Sequence, residues 1–212
     1  MIILGLTGSI GMGKSTAAAT LRRLGVPVFD ADAVVHRLLG PRGAAVSVVE
    51  AAFPGVRDAA GGIDRQRLGQ RVFRDQPALR RLEAIIHPMV RLAEKRFVAR
   101  ERARRSPLVV LDIPLLFESG GIRRCDYVVV VSAPARLQRE RVMRRPGMSE
   151  SRFADILRAQ LPDREKRRRA DFVVATALGR GVAFRRLKAI VRMLRRGEFP
   201  RSKQGHRACE RS

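Results

Sequence analysis

The sequence predicts an α/β fold, a parallel five-stranded sheet with helices on both faces. Three observations predict it. Five short apolar, β-branched segments recur along the chain, at 2–6, 26–29, 108–111, 127–131 and 172–174. Stretches of helical periodicity separate them, and strands that alternate with helices build a parallel sheet covered on both sides. The first segment also runs directly into a glycine-rich turn that opens a helix. Right-handed crossovers then place the carboxyl ends of the strands on one edge, where ligands of such sheets bind.

Ile2-Ile3-Leu4-Gly5-Leu6 reads as a buried strand, and residues 16–24 as a helix with Ala17, Ala18, Leu21 and Leu24 on its inner side. Between them, Gly8-Ser9-Ile10-Gly11-Met12-Gly13-Lys14-Ser15-Thr16 satisfies the spacing G-x-x-x-x-G-K-[ST]. Strand, turn and helix are the context that makes this spacing a phosphate site. Gly8, Gly11 and Gly13 free the backbone to turn its N–H groups around an anion, and the helix adds its positive end. Lys14 is placed to reach the β- and γ-phosphates of a nucleotide and the Ser15 hydroxyl to ligate Mg²⁺. The plain alternative is an ordinary glycine-rich strand–helix turn with an exposed lysine, which the strand–turn–helix context disfavours.

Val26-Pro27-Val28-Phe29 is the second strand, ending at Asp30-Ala31-Asp32, and a helix over 33–39 stops at Gly40-Pro41. Residues 41–105 carry no convincing strand; helices are expected over 42–52, 64–74, 77–86 and 88–104, with Pro77 and Pro88 each opening one. Strands at 108–111 and 127–131 come next, then helices over 135–144 and 149–159, a strand at 172–174 and a helix over 182–194. The expectation is one domain over 1–195. Its core is 1–40, 106–134 and 170–195, its helical acceptor-binding insertion 41–105, and its lid 135–165. The basic tail 196–212 lacks periodicity and is expected to fray.

Composition narrows the function classes. The chain has 212 residues, 44 Lys+Arg against 20 Asp+Glu, and a formal net charge of +24. A nucleic-acid binder, an enzyme for polyphosphorylated substrates, and a sequence with arginine scattered over helix surfaces all fit that charge. The arginines extend from Arg22 to Arg211, while one Tyr and no Trp leave few rings for base stacking. Scattered arginine around an anion-binding cleft is therefore favoured, and nucleic acid is not the expected partner. Cys125 and Cys209 have no metal-ligand spacing and no disulfide pattern, which suits a reducing cytoplasm. No apolar run reaches the roughly 18 residues of a membrane span, and residues 1–6 are too short for a signal peptide.

Several acidic and basic residues fall where phosphoryl transfer needs them. Asp32, two residues beyond Asp30 at a strand end, is suited to accept the proton of an attacking hydroxyl, or equally to cap the next helix. Asp112 ends a buried strand, a usual place for a metal-binding carboxylate and also for a satisfied structural acid. Glu118 suits a helix start as well as a site, and His87, held before Pro88, suits packing as well as binding. Arg136, Arg139, Arg141, Arg144 and Arg145 surround one helix; most such runs are solvated faces, yet a guanidinium from a mobile flap can neutralise a transferring phosphoryl. Pro146-Gly147 and the basic run 164–169 favour a closing lid.

The ordered set of residues resembles the dephospho-coenzyme A kinase family, whose fold is similar to other P-loop NTPases of the nucleoside-monophosphate-kinase type. The resemblance spans Met1 to about Arg195. It rests on Leu6-Thr7-Gly8, Ile10-Gly11, Gly13-Lys14-Ser15-Thr16, Asp30-Ala31-Asp32 with Arg37, His87-Pro88, Pro114-Leu115-Leu116-Phe117-Glu118, Gln138 with Arg141, Gln160, and Ala170-Asp171. It implies transfer of the γ-phosphoryl of ATP, with Mg²⁺, to the ribose 3′-hydroxyl of dephospho-CoA in a cytoplasmic monomer or weak homo-oligomer that engages no membrane. By that resemblance Asp32 is the general base, and Lys14 and Arg141 stabilise the transition state. Gly8, Gly11, Met12, Gly13, Lys14, Ser15 and Thr16 hold the nucleotide, and Asp32, Arg37, His87, Leu115 and Glu118 the acceptor; Ser15 and Asp112 stay the metal candidates by their places in the loop and at the strand end. The sequence departs from the family pattern at Ser9 and Met12, both free positions of the loop. It departs again at Val174-Ala175-Thr176-Ala177, where the family commonly has Asp or Asn. Without the resemblance, another nucleoside or sugar kinase, or a nucleic-acid-stimulated ATPase, would fit the loop as well.

Overall fold

A computed structural model describes residues 1–72 and 75–198; the end of the helix expected over 64–74 and the tail beyond 198, with Cys209, lie outside the described residues. The five expected strands all form: β1 (Ile2–Thr7), β2 (Val28–Asp30), β3 (Leu108–Asp112), β4 (Tyr127–Ser132) and β5 (Phe172–Ala175). They make one sheet in the order β2-β3-β1-β4-β5. The pairings of β1 with β3, β1 with β4 and β4 with β5 are parallel. The chain leaves β1 toward one edge and later crosses to the other, so the end of β1 is the topological switch point. The glycine-rich turn occupies that point, directly after Thr7.

The chain divides into two compact units, Met1–Phe29 with everything from Glu101 onward, and Asp30–Arg100. In the first unit, α1 (Lys14–Arg23) and α9 (Arg180–Arg195) pack against each other and on the sheet. Leu187, Ile190, Val191 and Leu194 of α9 follow helical spacing and are all buried. They join Leu4, Leu6, Leu21, Val110, Val129 and Val131 in the main core. The same unit holds α6 (Ala135–Met143), α7 (Glu150–Arg158) and α8 (Asp163–Arg169).

The second unit contains α2 (Ala31–Leu39), α3 (Val46–Ala52), α4 (Arg65–Val72) and nearly all of α5 (Gln76–Ala103) around its own core of Leu39, Val49, Phe53, Val56, Leu68 and Ile86. It begins at Asp30, and Val35, Leu38 and Leu39 of α2 pack into this second core.

Three local expectations are corrected. Pro88 does not open a new helix; it lies inside the 28-residue α5. A proline there removes the bond to the carbonyl of Ala84. Ala84 and Pro88 are both exposed, so water can serve that carbonyl. Residues 163–169, read only as a basic run, form α8. Their sequence lacks an apolar stripe, but Asp163 and Glu165 in the first turn and four basic residues in the last complement the helix dipole. Asp32 does not cap α2: the cap is Asp30, whose side chain accepts a 2.9 Å hydrogen bond from the Ala33 N–H.

Candidate functional site: a phosphate loop and its guanidinium

β1 ends at Thr7 and α1 begins at Lys14, so six residues make the turn. The Met12 N–H closes it on the Ser9 carbonyl at 3.1 Å. Gly11 and Gly13 have φ of 76° and 91°, the left-handed region that residues with a Cβ rarely adopt. Gly8 is required for closeness instead: a Cβ there would lie 2.6 Å from Val131 Cγ2 and 2.8 Å from the Val131 carbonyl oxygen. The N-cap of α1 is Gly13, which makes no side-chain cap hydrogen bond, and no acidic residue stands in the first turn. The N–H donors of that turn and the positive helix end therefore fit an anion such as a nucleotide phosphate.

The basic and acidic groups gather because strand register aligns the strand ends. Leu6 of β1 pairs with Asp112 of β3, which brings the Asp112 carboxylate beside the turn. Lys14 Nζ donates to Asp112 Oδ1 at 2.9 Å, and Asp112 is only 2% exposed. Ser15 and Thr16 are exposed at the start of α1. The two expected metal donors, the Ser15 hydroxyl and the Asp112 carboxylate, are oxygens, the donor type that suits Mg²⁺. Among the described residues no group of three His, Cys, Asp or Glu forms a site of its own.

The turn is gripped from outside by side chains of α6 and of the segments after α7 and β5. Gln138 Nε2 donates to the Ile10 carbonyl at 2.8 Å, and Gln160 Oε1 accepts from the Ile10 N–H at 3.1 Å. The Met12 sulfur accepts from the Ala133 N–H at 3.0 Å, which occupies the side chain of this departure from the family pattern. Arg141 reaches the Gly11 carbonyl at 3.4 Å, and both its Nη atoms donate to Thr176 at 3.0 Å, one to the hydroxyl and one to the carbonyl.

The remaining expected residues are distributed differently. Leu115 is exposed just beyond β3. Glu118 Oε1 accepts from the Leu161 N–H at 2.8 Å and lies 3.0 Å from Lys166 Nζ, whose side chain is wholly buried. That pair meets an ion-pair distance without hydrogen-bond directionality. In the second unit, Asp32 lies exposed in the first turn of α2, Arg37 is exposed further along α2, and His87 is exposed on α5. The structure thus brings Lys14, Asp112 and Arg141 to the turn and gives Glu118 an internal partner.

Sequence reasoning assigned no role to Thr176, Lys166 or the two glutamines. Their partners are 35 to 164 residues away, and no spacing along the chain announces the contacts. The legible signals were Gln138 and Gln160 standing in the family pattern, and Thr176 standing where the family commonly has Asp or Asn.

The chain is similar to proteins of one family. The family profile described as dephospho-CoA kinase matches residues 2–178. A dephospho-CoA kinase of Rhodospirillum rubrum is 58% identical over 92% of this chain and 93% of its own length. One of Paramagnetospirillum magneticum is 62% identical over 92% of each. Among solved structures, a Thermus thermophilus protein superposes with a TM-score of 0.77 at 41% identity, over 91% of this chain and 97% of that one. A dephospho-CoA kinase of Campylobacter jejuni gives 0.69 at 25% identity, over 93% and 98%. A phosphate loop at the switch point of a parallel sheet, and near-complete coverage by relatives at this identity, lead to one assignment: the chain belongs to the dephospho-CoA kinase family.

Proposed function

We propose that the protein transfers the γ-phosphoryl group of ATP to the ribose 3′-hydroxyl of dephospho-CoA, giving coenzyme A and ADP. The observation that carries this reading is the uncapped, acid-free start of α1 behind Gly11 and Gly13, with Lys14 and Arg141 beside it. Amide donors of the turn and the first turn of α1 hold the β- and γ-phosphates, and Lys14 moves from Asp112 onto them. Asp32 accepts the proton of the 3′-hydroxyl as its oxygen forms the bond to the γ-phosphorus. The bond from that phosphorus to the β–γ bridging oxygen breaks, and ADP leaves. Lys14 and Arg141 offset the negative charge that collects on the phosphoryl oxygens in between. Mg²⁺, when bound, supplies charge neutralisation and alignment of the phosphates; Ser15 and Asp112 would hold it.

Arg37, His87 and Leu115 are assigned to the acceptor by the family resemblance. A cytoplasmic monomer or weak homo-oligomer is the working state; no described helix is long and apolar enough to cross a membrane. Incubation of the purified protein with Mg-ATP and dephospho-CoA tests the reading. Formation of the 3′-phosphorylated product at the rate of ADP release is expected. ADP release without that product, or product from nucleosides and sugars instead, would overturn it.

A further inference from the structure

Arg141 sits on neutral acceptors alone. Its contacts are the Gly11 carbonyl at 3.4 Å, the Thr176 hydroxyl at 3.0 Å and the Thr176 carbonyl at 3.0 Å. No described carboxylate pairs with it, whereas its neighbours Arg139 and Arg144 on the same helix and its exit bind Glu150 and Glu140. A guanidinium fixed by dipoles beside a phosphate loop keeps its full charge for an incoming anion.

Thr176 is what fixes it. The residue presents two acceptors to the two Nη atoms, matching the planar fork that guanidinium offers. Its own hydroxyl proton is spent on the Met12 carbonyl at 2.9 Å. That direction leaves the oxygen lone pairs for Arg141, and the donation to Met12 polarises the hydroxyl as an acceptor. Thr176 also lies against the loop at Gly13, where a Cβ would meet its Cγ2 at 3.3 Å and its Oγ1 at 3.4 Å. It stands one residue past β5, with its N–H bonded to the Ser132 carbonyl at 2.9 Å, so the sheet itself holds it in place.

We infer that Thr176 is a positioning residue for phosphoryl transfer, registering the Arg141 guanidinium against the phosphate loop so that its charge meets the transferring group. The inference rests on the proposed role of Arg141 at the phosphates. A side chain that orients the charge without touching the substrate acts on turnover more than on nucleotide capture.

Steady-state kinetics with Mg-ATP and dephospho-CoA on T176V, T176S, R141A and the double variant T176V/R141A test it, with melting temperatures measured alongside. T176V keeps shape and β-branching and loses the hydroxyl. It is expected to lower kcat about tenfold, which is about 1.4 kcal/mol of barrier, with KM for ATP within about twofold. T176S should recover most of that turnover. In the R141A background T176V should cost less than about twofold, because its only route to the chemistry has been removed. An undiminished cost of T176V in R141A would mean that the hydroxyl acts through Met12 and the loop, and would overturn the inference. A rise in kcat for T176V would mean that Thr176 holds Arg141 back, and would overturn it too. Near-normal turnover by R141A would remove the assignment of Arg141 itself, whereas a damaged R141A beside an unaffected T176V would remove only the role of Thr176.

Discussion

Glu118 is where stability and catalysis can be told apart most directly. Its carboxylate accepts from the Leu161 N–H and faces the ammonium of Lys166, and the Lys166 side chain is 0% exposed against 20% for Glu118. E118Q keeps an oxygen for Leu161 but removes the negative charge, leaving a buried ammonium without its counter-ion. Breaking a fully buried pair from one side costs about 3–5 kcal/mol. The partial exposure of Glu118 lowers that, and about 2 kcal/mol is the working figure, with solvent screening discounted. For a chain of this size each kcal/mol moves Tm by about 2–4 °C, so E118Q should melt about 4–8 °C lower. K166M fills the same volume without a charge and should cost less, and E118Q/K166M should melt above E118Q alone. Scanning calorimetry or denaturant titration reads all three. The reasoning is refuted if E118Q melts within about 1 °C of the unmodified protein while its KM for dephospho-CoA rises tenfold, since Glu118 would then serve the acceptor. It is also refuted if K166M is the more damaging of the two singles.

Three further outcomes rest on particular contacts. G8A should destabilise by about 1–3 kcal/mol in thermal melts and weaken ATP binding, because its Cβ meets the Val131 carbonyl, backbone that cannot step aside. D30A and D32N should separate cap from base. D30A removes the acceptor of the Ala33 N–H and should cost about 1 kcal/mol of stability. D32N, at an exposed position, should leave the melt unchanged and lower kcat by about 10² to 10⁴ with ATP affinity held. Chelation with excess EDTA should abolish product formation without changing the circular dichroism melt, because both candidate metal residues are placed by the fold itself: Ser15 by α1 and Asp112 by the register of β3 on β1.

Local order carried much of this molecule into view from its residues. The β-branched runs made strands because short apolar segments between helices have one good burial site, the middle of a covered sheet. The loop spacing named the phosphate site because left-handed φ at Gly11 and Gly13, and the close approach at Gly8, admit few other residues. Proline misled at position 88, where the rule for helix starts met a helix long enough to absorb one missing bond on its exposed side. The charged helix α8 escaped because periodicity searches look for apolar stripes, and its buried anchor is the single lysine that pairs with Glu118.

What the residues determined alone was therefore the five strands, most of the helices, the anion-binding turn and the kind of chemistry. Which groups meet was decided by the tertiary structure. The register of β3 on β1 put Asp112 against Lys14, and the order of β4 and β5 set Thr176 beneath Arg141 and against Gly13. Such contacts join residues up to 164 positions apart, and their geometry depends on how strands align and helices pack. No spacing along the chain encodes that.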